Sequence, residues 1–278
     1  MTYLLGIRWT IGDVSTAGFE ALRLSIIGAM RLFGSRARYA VYVNTVPVAE
    51  AQRKCGPVAT EIEWRDANGQ VPAWLGPHLG PGFAAGVAWK LAPLRAFPEL
   101  HELALDNDVI LWKLPTAMLR WLAARDTCLV GEDVRASFGQ FSELCGSDPR
   151  DLGIRGLPPH FDFGRAIRAV LARHPVGLTS ELDEQGLQLA ALHGSAIEVV
   201  PLEDVTVCSP FWPHVPYLGR CGAHFSGLNA RTLGWSLDDY PAEMYVRKHW
   251  QRYHDEVATR VGAAGPAPLG GAAMGSTA

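Results

Sequence analysis

Two aspartates separated by one residue interrupt an otherwise apolar stretch, LALDNDVILW (residues 103–112). Burying an ionised carboxylate costs several kcal/mol unless a partner neutralises it, so Asp106 and Asp108 need a cation, a shared proton or access to solvent. On a strand both side chains would share one face, with Asn107 on the other. An Asp-x-Asp pair also arises by chance in a chain this long. Because Mg2+ and Mn2+ prefer oxygen ligands and often combine carboxylates with substrate phosphates, we predict a divalent-cation site here.

A histidine further along the chain lies in a glycine-flanked segment, GAHFSGLNARTLGW (residues 222–235). A neutral imidazole is a common metal ligand and can complete a shell that two carboxylates begin. A lone histidine is more often an ordinary core or surface residue, so the prediction for His224 depends on the aspartates. Together these residues predict a metal site formed by Asp106, Asp108 and His224.

The composition is that of a globular protein that binds neither nucleic acid nor a membrane. Of the 278 residues, 48% are hydrophobic and 19% charged, and the formal net charge is -3. No run of Lys and Arg suggests a nucleic-acid surface. The five cysteines contain no CxxC pair, so neither a disulfide framework nor a structural zinc site is indicated. The sequence shows no signal-peptide pattern and no apolar run of the roughly 18 residues that a membrane span needs. We expect a cytoplasmic protein without stable membrane insertion.

The secondary-structure pattern alternates between strands and helices, which predicts an α/β fold with a mostly parallel sheet flanked by helices. The predicted strands are residues 3–9, 38–45, 60–66, 103–112, 127–132 and 197–202. The predicted helices are residues 18–34, 86–97, 115–125, 164–174, 181–193 and 242–262, with a turn over 155–164. No repeat or linker divides the chain, so we expect a single domain over residues 1–262. The small, Gly/Ala-rich residues 263–278 predict a flexible C-terminal tail.

These motifs resemble a known enzyme family. An apolar strand ending in Leu-Asp-x-Asp, preceded by WKLAPLRAFPELHE, is similar to the GT-A (Rossmann-like) fold of nucleotide-sugar-dependent glycosyltransferases. The later His-Phe-x-Gly resembles the retaining branch that contains glycogenin and bacterial galactosyltransferases. The resemblance covers roughly residues 3–235 as scattered motifs. It implies that Asp106, Asp108 and His224 hold Mn2+, or Mg2+, against the diphosphate of the donor.

Two further segments resemble that branch. LTSELDEQGLQLAAL (residues 178–192) is similar to its acidic-Gln segment, which implies that Asp183, Glu184 and Gln185 lie near the transferred sugar and form the catalytic set. The same acidic residues would also suit the first turn of a helix. In DLGIRGLPP, Asp151 stands where the family usually carries the Asn of Asn-x-Gly. The family follows its His motif with Lys-Pro-Trp, and here Arg231 occupies that region, where its planar guanidinium can supply the charge.

Other candidate donor-binding residues follow from their position in the predicted sheet. Arg8 and Thr10 end the first strand and Asn44 ends the second, where a base and ribose lie in such a sheet. Lys90 lies on the segment before the aspartates, where its amine can reach a diphosphate, although a solvated helix face is an equal alternative. Asn107 completes this set from its place between the aspartates.

The leading hypothesis is a metal-dependent glycosyltransferase that moves a sugar from a nucleoside-diphosphate sugar, expected to be a UDP-sugar, to a hydroxyl of a small-molecule or soluble glycan acceptor with retention. With retention, the acidic segment would stabilise an oxocarbenium-like state; with inversion, Asp183 or Glu184 would act as general base. A sugar-nucleotide pyrophosphorylase is one alternative, although residues 6–19 lack the Gly-rich phosphate loop that such enzymes carry. A non-catalytic nucleotide-sugar-binding protein is the other.

Overall fold

The computed structural model describes residues 5–80, 88–208, 218–230 and 236–263. Its strands are β1 (Leu5–Ile11), β2 (Ala37–Val43), β3 (Ile62–Asp66), β4 (His101–Leu105), β5 (Val109–Leu111), β6 (Thr127–Glu132), β7 (Arg150–Leu157), β8 (Ala196–Val200), β9 (Val205–Val207), β10 (Gly222–His224), β11 (Ser236–Leu237) and β12 (Tyr240–Pro241). Its α-helices are α1 (Thr16–Phe33), α2 (Val48–Cys55), α3 (Thr116–Ala123), α4 (Ser142–Cys145), α5 (Phe163–Arg173), α6 (Glu181–Leu192) and α7 (Ala242–Val261). The predicted tail, beyond its first residue, falls outside the described residues.

A seven-stranded sheet forms the centre of the molecule, in the order β3-β2-β1-β4-β7-β6-β8. Neighbouring strands are parallel except for the two pairs that β7 makes, with β4 and with β6, which are antiparallel. One apolar core contains side chains of α1 and α3, and a second contains those of α5 and α6. The prediction of a single α/β domain with a mostly parallel sheet flanked by helices is confirmed.

The stretch LALDNDVILW is not one strand. β4 ends at Leu105, Asp106–Asn107–Asp108 form a turn, and β5 begins at Val109 in a second sheet of order β5-β10-β9. The turn is closed by the amide of Val109, which donates to the carbonyl of Asp106 at 3.0 Å. The expectation that strand alternation places both aspartates on one face was therefore wrong. A turn between two sheets brings them together instead. An apolar sequence pattern does not reveal such a turn.

The sequence analysis missed β7. It predicted a turn over residues 155–164, whereas a strand runs from Arg150 to Leu157. Two glycines and an arginine hide the apolar pattern of this strand. Both glycines are required by close packing: a Cβ at Gly153 would lie 2.6 Å from the His224 imidazole, and one at Gly156 would lie 2.6 Å from the Trp121 ring. At these two positions a larger side chain would clash with a neighbouring ring, so the strand carries glycine.

The predicted helix over residues 86–97 was also wrong. Within the described residues, only Ala88–Leu91 form a short 3-10 helix, and the chain is irregular from there to β4. Pro93 lacks an amide hydrogen and clashes with a helical backbone before it, and Pro98 follows closely. Among the described helices, none is long and apolar enough to cross a membrane.

A buried serine joins the central sheet, helix α1 and the second sheet. The indole Nε1 of Trp9 donates to Ser25 Oγ at 2.9 Å, and Ser25 Oγ donates to the carbonyl of Val109 at 2.5 Å. All three residues are fully buried. Because Val109 follows the aspartate turn directly, this serine fixes the position of that turn.

We expect Ser25→Ala to lower the free energy of unfolding by about 1–3 kcal/mol, because it leaves the Trp9 indole and the Val109 carbonyl buried without partners. Urea denaturation measures the loss. The control is Ser142→Ala, which removes an exposed hydroxyl bonded to the carbonyl of Gly139 and should change stability by less than about 0.5 kcal/mol. Equal effects of the two substitutions would contradict the role assigned to Ser25.

Candidate functional site

The three predicted metal ligands converge on one point. Asp106, Asp108 and His224 each offer a ligand atom, and these atoms all lie within 4.8 Å of one another. His224 Nε2 is 3.4 Å from Asp108 Oδ1 and 3.9 Å from Asp106 Oδ2. Asp108 and His224 are buried, while Asp106 reaches the surface of the site. The arrangement has the oxygen and imidazole donors, the spacing and the opening that a divalent cation and a phosphate ligand require.

Backbone pairing holds His224 against the aspartate turn. β10 runs antiparallel to β5, with His224 opposite Val109, the residue that follows the turn. The amide of Phe225 donates to the Asp108 carbonyl at 3.0 Å, and the amide of Cys208 donates to the His224 carbonyl at 2.7 Å. These bonds place the imidazole on the carboxylates although 116 residues of chain separate His224 from Asp108. The ligand set is therefore built by the second sheet.

Asp151 lies behind the histidine and fixes its orientation. Its Oδ2 is 2.7 Å from His224 Nδ1, and its Oδ1 accepts from the amide of Gly153 at 2.8 Å. A carboxylate at Nδ1 holds a proton on that nitrogen, so Nε2, which faces Asp106 and Asp108, is the nitrogen that would bind a metal once the metal displaces its proton. Asp151 thus completes a carboxylate–histidine pair of the kind that supports metal ligands.

The charge of the cluster fits a cation. Burial alone would lower the pKa of His224, but the carboxylates of Asp151 and Asp108 outweigh it and hold the pKa well above its usual value. Burial raises the pKa of Asp106, against the opposing charge of Lys90. Asp108 Oδ1 is buried and accepts no hydrogen bond from the described residues. An orphaned carboxylate oxygen beside an imidazole nitrogen is the donor set that a hard divalent cation satisfies.

Lys90 lies in direct contact with the candidate metal centre. Its Nζ donates to Asp106 Oδ2 at 2.6 Å, and its side chain is one-third exposed. Burial would lower the pKa of Lys90, but the charges of Asp106 and Glu184 raise it well above its usual value, so the amine stays protonated. Arg8 holds this segment in place, because its guanidinium donates to the carbonyls of Lys90 and Pro93. Lys90 is the cation closest to where a diphosphate would meet the metal.

The residues of the acidic-Gln segment make different contacts along helix α6. The Asp183 carboxylate accepts bonds from the amides of Gln140, Thr179 and Ser180 and forms a capping box with Ser180 at the start of the helix. Its oxygens therefore satisfy backbone amides at and near the N-terminus of the helix. Gln185 is half-buried, where its Nε2 donates to the Ser137 carbonyl at 3.1 Å.

Glu184 faces the charged cluster. It is 1% exposed and accepts a hydrogen bond from Gln188 Nε2. Burial raises its pKa to about 7, and the negative charge of Asp106 adds to this effect while Lys90 opposes it. Of the two predicted carboxylates on this helix, Glu184 is the one coupled to the candidate metal centre.

The remaining predicted donor residues lie at or near the same sheet edge. Thr10 and Arg8 line a pocket beside Asp106. Asn44 follows β2, is fully buried, and its Nδ2 has no hydrogen-bond partner among the described residues. Arg231 lies outside the described residues.

Asn107 joins three segments of the fold. Its Nδ2 donates to the Gly18 carbonyl at 3.0 Å and to Asn229 Oδ1 at 2.7 Å, and its Oδ1 accepts from Asn229 Nδ2 at 2.8 Å. Both polar atoms of its amide are therefore engaged within the protein. This reciprocal pair ties the aspartate turn to helix α1 and to the segment that follows His224.

Comparison with solved structures places this arrangement in a known fold. The galactosyltransferase LgtC, solved with donor and acceptor sugar analogs, matches with a TM-score of 0.56 and 11% identity over 95% of this chain and 98% of its own. An active-site variant of LgtC, in which a glutamine is replaced by glutamate, matches with a TM-score of 0.54 and 11% identity over 89% of this chain and 95% of its own. The apo structure of the bifunctional glycosyltransferase WbbM matches with a TM-score of 0.52 and 13% identity over 94% of this chain and 52% of its own.

The chain has the GT-A fold. No protein-family model and no curated protein sequence matches it. The likeness to solved structures is therefore one of fold, at 11–13% sequence identity. In this GT-A sheet, Asp106 directly follows the carboxyl end of β4, and Thr10 and Asn44 lie at the corresponding ends of β1 and β2. Ligands of open α/β sheets bind in the crevice outside these ends.

Two site residues had only partial sequence signals. Asp151 was noted as a departure from Asn-x-Gly, but its contact with His224 was not predicted. Arg155 was assigned to a turn, although a lone arginine between two glycines of an inward-facing strand is itself unusual. Both residues lie on β7, so the missed strand accounts for both omissions.

We expect Asp151→Asn to weaken Mn2+ binding roughly 10- to 100-fold, because the loss of the carboxylate frees the His224 ring and lowers its basicity. Isothermal titration calorimetry of the protein with Mn2+ measures the change. The control is Asp148→Asn, which removes an exposed carboxylate paired with Arg150 and should leave metal affinity unchanged. Equal Mn2+ affinity in both variants would show that Asp151 does not support the ligand.

Glu184 should make stability depend on pH. Its pKa is about 7 in the folded protein against an ordinary value of 4.5, so the folded state binds this proton more tightly than the unfolded state. The resulting stabilisation, about 3 kcal/mol, is complete below pH 4.5 and is lost as pH rises through 7. We expect Glu184→Gln to remove that loss between pH 5 and pH 8, as measured by urea denaturation of the metal-free protein. Glu181→Gln, at an exposed position of the same helix turn, should retain it.

Proposed function

We propose that this chain is a metal-dependent glycosyltransferase that transfers a sugar from a nucleoside-diphosphate sugar, a UDP-sugar, to a hydroxyl of a small-molecule or soluble glycan acceptor. The observation that carries the proposal is the cluster of Asp106, Asp108 and His224 at the carboxyl edge of a GT-A sheet. The similar folds of LgtC and WbbM, both glycosyltransferases, support it. A divalent cation held there, Mn2+ or Mg2+, would offset the charge of the departing nucleoside diphosphate.

The side chains around the cluster would bind and orient the donor. Lys90, already protonated beside Asp106, adds a positive charge for the diphosphate. Thr10 and Asn44, at the ends of two parallel strands, are the candidates for contact with the ribose and base, and Arg231 is a further candidate for phosphate. Binding in this crevice would hold the acceptor hydroxyl against the anomeric carbon. The reaction between the two groups would then be effectively unimolecular.

Retention is the proposed stereochemical outcome, because the late histidine is the feature shared with the retaining branch. Glu184 and Gln185 then stabilise positive charge that develops on the sugar, and no general base is needed. If the enzyme inverts, Glu184 is the carboxylate that can take the acceptor proton, because the oxygens of Asp183 are occupied by the cap of α6. With a pKa of about 7, Glu184 is suited to that exchange.

The proposal extends to the organisation and setting of the chain. Residues 1–262 would form the catalytic domain and residues 263–278 a tail that the chemistry does not use. All five cysteines are buried and unpaired. Free thiols of this kind suit a reducing compartment, which supports a cytoplasmic location.

The test is metal-dependent donor binding and turnover. The wild-type protein should bind UDP more tightly with Mn2+ than without it, and should hydrolyse or transfer sugar from at least one member of a panel of UDP-sugars. Asp108→Asn should lose the Mn2+-dependent part of the UDP affinity, because it removes a buried ligand oxygen; calorimetry measures it. The exposed Asp126→Asn serves as control and should behave like the wild type.

The outcomes separate the hypotheses. The metal site would be ruled out if the UDP affinity were the same with and without Mn2+, or if Asp108→Asn kept the Mn2+-dependent affinity of the wild type. Metal-dependent binding without turnover of any donor would support the non-catalytic alternative. NMR of the first-formed product decides the stereochemistry: an α-linked donor that gives a β-linked product would overturn retention and leave Glu184 as the base.

A further inference from the structure

A buried arginine in the pocket beside Asp106 has no carboxylate in direct contact among the described residues. Arg155, in the middle of β7, is 2% exposed. Its Nη1 donates to the neutral amide of Gln188, and its guanidinium lies 4.5 Å from the centre of the Phe163 ring. Its Nε and Nη2 have no hydrogen-bond partner, and no carboxylate lies within 4.0 Å of it, among the described residues. Buried arginines are almost always paired, so the partner of this one is expected to be a ligand.

The neighbouring strands build a cradle in front of this guanidinium. Ala104 on β4 is in register with Arg8 on β1 and with Arg155 on β7, so two arginines flank one alanine across three adjacent strands. The methyl group of Ala104 leaves the space between them open, and Ala104 is partly exposed although its strand lies in the centre of the sheet. The sheet therefore holds a gap between two positive side chains.

This gap is part of a pocket with about 280 Å3 of empty space, including its mouth, which adjoins the candidate metal centre. Arg8, Ala104 and Arg155 line it, and so do Asp106 and Lys90, the residues that would meet the donor diphosphate. A group attached to a diphosphate at the metal would therefore lie over the mouth of this pocket.

Arg8 and Arg155 differ in how well their guanidinium groups are paired. Both Nη groups of Arg8 are bonded to backbone carbonyls, and its Nε lies 3.9 Å from Glu102 Oε1. Arg155 has no comparable partner. Burial, together with repulsion from Arg8, lowers the pKa of Arg155 to about 9, although the more distant carboxylates of Glu102 and Glu184 oppose this. An anion bound between the two side chains would offset both effects.

We propose that this pocket binds the carboxylate of an acidic donor sugar, so that the donor is a nucleoside-diphosphate hexuronate, with Arg155 as the specificity-determining residue. The inference rests on the proposed function. A guanidinium presents a planar pair of N–H groups that matches a carboxylate, and the narrow pocket suits a group of that size. A neutral hexose would leave the buried Nε and Nη2 of Arg155 unpaired, which disfavours it relative to the hexuronate.

The experiment compares donors that differ only at C6: UDP-glucuronate with UDP-glucose, and UDP-galacturonate with UDP-galactose, each with Mn2+ and without acceptor. For the wild type, we expect calorimetry to show one hexuronate bound roughly 10- to 100-fold more tightly than its neutral partner. Arg155→Met should abolish that preference and leave the affinity for UDP itself unchanged. Arg155→Lys, which keeps the charge but loses the planar pair, should retain only part of it.

Two further variants keep the test decisive. Ala104→Val fills the gap without changing charge and should also abolish the preference, so it decides the question if thermal melting shows that Arg155→Met does not fold. Arg168→Met removes an exposed arginine that stacks on Trp74 and should leave the preference intact.

The failures are distinguishable. If no UDP-sugar and no UDP binds with Mn2+, the proposed function fails and this inference fails with it. If UDP binds but neither hexuronate is preferred, or if the preference survives in both folded Arg155→Met and Ala104→Val, the carboxylate site is wrong while the glycosyltransferase proposal stands.

Discussion

Three carboxylates converge on the imidazole of His224, and their mutual repulsion in a buried setting shapes the surrounding structure. Asp151 contacts Nδ1, while Asp108 and Asp106 face Nε2. Lys90 and a protonated His224 supply two positive charges, which leaves one negative charge unbalanced, or two if the ring is neutral. A divalent cation on Nε2 removes this imbalance, because the proton that it displaces is replaced by a larger charge on the same face. The antiparallel pairing of β5 with β10 brings His224 beside the two aspartates at this position.

The antiparallel strand β7 connects the metal centre to the rest of the crevice. Asp151, Gly153 and Arg155 alternate along it and share one face. The first orients the histidine, the second leaves room for its ring, and the third lines the pocket beside Asp106. Metal binding and sugar selection would thus be set by one strand.

Helix α6 supports both parts of the site with adjacent residues. Asp183 satisfies the free amides at the helix start, and the charges of Lys90 and Asp106 act on the buried carboxylate of Glu184. Gln188, one turn later, accepts from Arg155 and donates to Glu184. A helix cap and a buried carboxylate therefore occupy consecutive positions of the same helix turn.

The sequence alone indicated the alternation of strands and helices and singled out Asp106, Asp108 and His224 as candidates, because residue type and local spacing carry those signals. It also singled out Lys90 as a candidate for the donor diphosphate, and the structure shows this side chain paired with Asp106. It could not reveal that the aspartates occupy a turn between two sheets, that residues 150–157 form a strand, or that Asp183 caps a helix while Glu184 faces the charges. Those features depend on partners far apart in the chain: Asp151 lies 73 residues from His224, and Arg155 lies 33 from Gln188. Strand register and burial bring such pairs together, and only the tertiary structure shows that Arg155 is buried with two nitrogens that have no hydrogen-bond partner among the described residues.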